Sequence, residues 1–130
     1  MSVVLVAAGI YNIVWGALAI AFPLAYFRWA RIEPPNYPQI WQCVGMIVGV
    51  YGVGYIIAAR DPVRHWPIIL VGLLGKLLGP IGFLQMAWNG VWPWRMGWIN
   101  VTNDLIWLAP FILILSYAYR TEKQSTHIHE

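Results

Sequence analysis

Charge is what this sequence has least of. Only 10% of its 130 residues are Asp, Glu, Lys or Arg, against 60% hydrophobic residues. A soluble domain carries about 25% charged residues, because its whole surface faces water. The mean hydropathy of +0.62 points the same way. This chain has lipid as its expected solvent. The formal net charge of +3 is small and forms no basic stripe, which argues against a nucleic-acid partner. Cysteine is nearly absent: Cys43 stands alone, so there is no internal disulfide, no CxxC motif and no zinc-ligand spacing. Histidine is missing from every long apolar run, and no convincing Met pair replaces it, so haem has no axial ligands. No cofactor or metal is expected.

What the sequence does have is four long apolar runs, at about residues 3–26, 38–59, 66–88 and 96–119. Each is long enough to cross a hydrocarbon core of about 30 Å as a helix. Backbone groups in lipid must be satisfied internally, and the runs lack the alternation of a β-barrel. The expected fold is an all-α, four-helix transmembrane bundle over residues 1–120, with a polar tail over 121–130 that frays into water. The first run reads as a span, because no Lys or Arg precedes it and it is too long for a signal-peptide core. Nine tryptophans and seven tyrosines fit an interfacial belt, and Trp29, Trp41, Trp66, Trp88, Trp92, Trp94 and Trp98 fall mostly at run ends. Four spans put both termini on one side. Arg60, Arg64, Arg120 and Lys123 on that side slightly outweigh Arg28, Arg31 and Arg95 on the other, favouring cytoplasmic termini.

Two charges stand inside the runs. Lys76 is the only base and Asp104 the only acid. Such a charge costs roughly 2.5–3.5 kcal/mol to insert at mid-span, so the two are expected to pair, directly or through a water. On the third run, Gly72, Gly75, Lys76, Gly79 and Phe83 share a helical face, and its small residues should bring a neighbouring helix close. Pro80 has no N–H for the Lys76 carbonyl. On the fourth run, Asn100, Asn103, Asp104 and Trp107 share a face. Counted from the loop between the runs, Lys76 lies about 18 Å deep and Asp104 about 10 Å. Asn12 with Tyr11 and Trp15, Gln42, Gln85 and Asn89 add polarity toward the same side. A polar cavity is expected, with its mouth at the first and third loops and Lys76 at its floor. Gly45, Gly49 and Gly52 on the second run read as close helix packing.

Each feature also has a plainer explanation. Lys76 and Asp104 could simply lock helix register. Cys43 reads as a small packing residue, since a reactive thiol wants a neighbouring base. His65 sits at a headgroup boundary. The His127–His129 spacing on the tail is weak ground for a metal.

The stretches "YNIVWG", "PPNYPQIWQCVGMIVGVYGVGY", "ARDPVRHWPIILVGLLGKLLGPIGF" and "NDLIWLAPF" resemble a group of small, uncharacterised, four-span membrane proteins of bacteria, over about residues 11–115. The resemblance implies a multi-pass protein of the bacterial inner membrane and no known reaction. Some members of that group are labelled alkyl hydroperoxide reductase. Peroxiredoxin-type enzymes are soluble thioredoxin-like domains whose reactive Cys follows a Pro/Thr-rich loop. Here Cys43 stands in "IWQCVGM", within a span and with no second cysteine. The leading expectation is a non-enzymatic membrane protein that binds a small polar or amphiphilic ligand, or serves as an accessory subunit. Lys76, Asp104, Asn103, Asn100, Asn12, Gln42, Trp15 and Trp107 would line its site. The alternatives are a quinone- or peroxide-linked membrane redox enzyme or subunit, and a structural partner in a homo-oligomer or larger complex.

Overall fold

A computed structural model of the chain describes residues 1–128. It is all-helical, and four of its helical segments are long and apolar enough to cross a membrane. The first is α1, Ser2–Ala21. Pro23 follows, and the chain then makes a short helix, α2, Ala25–Ala30. The first span is therefore shorter than the apolar run, and residues 25–26 belong to α2. Next come α3, Pro38–Arg60, and α4, Trp66–Trp88, each with proline in its first turn. A missing N–H costs nothing there. The fourth span is composite. A 3₁₀ turn over Trp94–Gly97 leads into α5, Trp98–Asn100. A π-helical turn over Val101–Leu105 then leads into α6, Ile106–Ile128. Two expectations change here. Residues 94–95 are helical rather than loop, and the helix continues through residues 121–128. Residues 121–126 are polar, but each residue added to a formed helix gains a backbone hydrogen bond at little nucleation cost.

The outer surface is apolar where it would meet hydrocarbon. Val14 is 52% exposed, Leu78 64% and Leu113 71%. In water this surface would be an aggregation liability, whereas in a bilayer it is the solvated face.

The helices pack as two pairs. α1 and α3 run antiparallel along a seam of small residues. A side chain at Gly9 would come within 2.7 Å of the Gly52 carbonyl oxygen, and one at Gly45 within 2.7 Å of the Ala19 Cβ. At Gly16 it would run into the Gly45 carbonyl itself. Only glycine lets the backbones come this near, and without a hydrophobic drive in lipid such contact is what holds helices together. α4 packs with α6, and the two pairs meet less closely.

Along the membrane normal the interior has three layers. The half near the termini is an apolar core from all four spans, centred on Leu5, Tyr55, Ile69 and Phe111. The opposite end holds Phe83, Ala87 and Met96, with Tyr26 and Ile32 against them. Between the two lies the polar layer. The far end is tied by hydrogen bonds between loops. Tyr26 donates its hydroxyl to the Met96 carbonyl at 2.9 Å, and Arg95 donates to the Arg31 carbonyl. Burial pushes the Tyr26 hydroxyl above its ordinary value.

Candidate functional site: a polar cavity between the helix pairs

The polar layer encloses a cavity of about 260 Å³. α1 contributes Asn12, α3 contributes Tyr51 and Tyr55, α4 contributes Lys76, and the π turn contributes Asn103 and Asp104. Asn12 and Lys76 are each 3% exposed and Asp104 7%. Three of the four spans thus place a polar side chain at one depth, where an isolated polar group is expensive.

Lys76 is held differently from the expectation. It makes no direct ion pair with Asp104. Its ammonium donates to the backbone carbonyl of Asn103 at 2.6 Å. The π turn explains why that acceptor can take it. In this turn Ile106 N–H reaches back five residues to Val101, so the ordinary i→i+4 ladder is interrupted. Two successive carbonyls there accept from side chains: Thr102 from the Trp107 indole at 3.1 Å, and Asn103 from Lys76. The rings of Tyr55 and Phe111 add support, each with its centroid 5.6 Å from the ammonium nitrogen. That is within cation–π range.

Asp104 lies against α4. A side chain at Gly79 would come within 3.1 Å of its Oδ2. Its Oδ1 accepts from the Asn103 side-chain amide at 3.3 Å. That bond fixes the Asn103 amide orientation, with its oxygen pointing elsewhere. The Asn103 Oδ1 and the Asn12 Oδ1 are both buried and have no hydrogen-bond partner in the protein.

The expected residues divide into several places. Lys76, Asp104, Asn103 and Asn12 meet in the cavity. Asn100 instead lines a separate space of about 450 Å³ with Pro80, Leu84 and Trp98. Gln42 donates to the Ile20 carbonyl at 2.8 Å, tying α3 to the end of α1. Trp15 packs on Trp41 with centroids 5.6 Å apart, in an aromatic cluster with Tyr26 and Phe27 of α2. Trp107 is occupied by Thr102 and lies 6.0 Å from Tyr11. Gln85 and Asn89 do not reach the cavity, which sits at mid-depth instead of opening at the first and third loops.

The glycines divide as well. Gly72 faces the Tyr55 ring, and Gly45 and Gly79 touch neighbours as described. Gly75 and Gly49 have open space where a side chain would stand. Gly49 serves the seam through its backbone, 3.1 Å from a side chain built on Gly16. Cys43 is exposed on α3 and lines no cavity described above. The side chains of His127 and His129 lie outside the described residues.

Sequence reasoning passed over Tyr51 and Tyr55. Their signal was present, as two hydroxyl-bearing residues at i, i+4 on an apolar helix. It also passed over Gly9 and Gly16, whose i, i+7 spacing matches Gly45 and Gly52 across the seam.

Compared with protein-family models, curated proteins and solved structures, the chain has no significant match.

Proposed function

We propose that this is a non-enzymatic integral membrane protein that binds a small polar or amphiphilic ligand in the Lys76 cavity. The observation that carries the proposal is the convergence of Asn12, Lys76, Asn103 and Asp104 on one space, with two buried acceptors left unpaired. Buried polar groups are normally satisfied, and intramembrane ionisable residues are functional by default. The setting we propose is the bacterial inner membrane, in line with the resemblance above, with both termini cytoplasmic by the balance of basic residues.

The test is the stability of ligand-stripped Lys76→Met protein in detergent. Methionine matches the lysine in volume and removes the buried charge. A binding residue is held at a cost to the fold, so the variant should melt at or above the wild-type temperature. A loss of about 2 kcal/mol or more would instead make Lys76 a structural pin.

A further inference from the structure

We infer that the Lys76 cavity is loaded sideways from the bilayer, between α3 and α4, and takes a single-chain amphiphile with a hydroxyl or undissociated carboxyl head. This rests on the ligand-binding proposal above and adds the route and the ligand class.

The route follows from where the cavity wall is open. Ile47 is 49% exposed, Tyr51 36%, and Gly75 is exposed, and all three line the cavity. Ile47 and Gly75 each lie nine residues past the first residue of their helix, Pro38 and Trp66. That is about 14 Å along the axis, near the middle of a core about 30 Å thick. The opening therefore faces acyl chains. α3 and α4 make their close contacts nearer the loop that joins them. There a side chain at Gly54 would meet Ile68 at 3.3 Å, and Gly72 faces Tyr55. Beyond these contacts the helices part. Gly75 stands at the gap with no neighbour within 4 Å of a side chain built on it. Packing does not require glycine there, but an open gap does.

The head-group chemistry follows from the unpaired atoms. Asn12 Oδ1 and Asn103 Oδ1 need a donor. The Lys76 ammonium carries three hydrogens, and its one bond in the protein is to the Asn103 carbonyl, so it can also donate to a ligand. A head that both donates and accepts serves both sides of this set: its one O–H pairs one of the two Oδ1 atoms, and its oxygen accepts from Lys76. A hydroxyl or a protonated carboxyl does so with one group, whereas a quinone carbonyl only accepts. The tail has a place too. An apolar groove of about 360 Å³ runs along α3 and α4 past Val50, Gly54, Ile68 and Val71, and it shares Tyr51 with the cavity.

The experiment uses the full chain in phosphatidylcholine nanodiscs with a diazirine-bearing hexadecanol as probe. Wild type should cross-link in peptides containing Val50, Tyr51 or Val71 in preference to the lipid-facing Leu113. Gly75→Leu should cut that labelling about tenfold at an unchanged melting temperature, and Lys76→Met should cut it likewise. Ile47→Trp, which adds bulk at the gap from α3, is a second blocking variant should Gly75→Leu fold poorly. If the wild type labels no more at the groove than at Leu113, the ligand class is wrong. If both blocking variants label like wild type while Lys76→Met does not, the side route is wrong and the site proposal survives. If Lys76→Met also labels like wild type, the site proposal itself fails.

Discussion

Gly72 and Gly75 stand three residues apart on α4 and answer to different demands. A methyl group at Gly72 would press into the Tyr55 ring, which is 2% exposed and backed by Phe111 at 5.0 Å. Gly72→Ala should lower stability by about 1–3 kcal/mol, the usual cost of overpacking. At Gly75 the methyl meets nothing. Gly75→Ala should be neutral or stabilising by up to about 1 kcal/mol, from helix propensity alone. Thermal unfolding followed by tryptophan fluorescence in detergent would check both. Equal losses at the two sites would contradict this account of the helix. From sequence the two glycines were indistinguishable, because both belong to one small-residue row. The partner helix decides which of them is needed, and a row on one helix does not carry that information. Lys76 and Asp104 were legible as the lone charges of their spans. Their lack of direct pairing was not, since it depends on a backbone carbonyl.

At the scale of elements, the π turn matters most. It bends the hydrogen-bond ladder at Val101–Leu105 and turns the Thr102 and Asn103 carbonyls toward side chains. Trp107→Phe keeps the ring but loses the bond to Thr102, and should cost about 1 kcal/mol. A stability unchanged from wild type would mean that this carbonyl is satisfied within the helix. The α1–α3 seam carries a larger prediction. Gly16→Leu drives a side chain into the Gly45 carbonyl, and the backbones must part. We expect a loss of at least about 3 kcal/mol, or failure to accumulate in the membrane. The same melting assay, with expression level, reads it. The four spans were legible because hydrophobic length is a strong signal. The π turn was not, since nothing in "NVTNDLIW" distinguishes it from an α-helical face. Helix α2 was hidden because its first residues, Ala25 and Tyr26, continue the apolar run of the span before it, and only Pro23 marks the break.

At the scale of the whole molecule, two apolar layers bracket one polar layer. The core around Tyr55 and Phe111 fills one end, and at the other Tyr26 and Arg95 tie the loops beside a separate space of about 670 Å³. No loop residue lines the Lys76 cavity, and its exposed wall, Ile47, Tyr51 and Gly75, stands at mid-span between α3 and α4. The proposed orientation gives a simple prediction. Gln124→Cys, in a Cys43→Ser background, should react with a membrane-impermeant maleimide only after the cells are opened. Reaction in intact cells would reverse the topology.

The measurement closest to the central claim is native mass spectrometry of gently extracted protein, wild type beside Lys76→Met. A bound small mass on the wild type, absent from the variant, is the expected result. Bare protein in both, or the same mass in both, would contradict it.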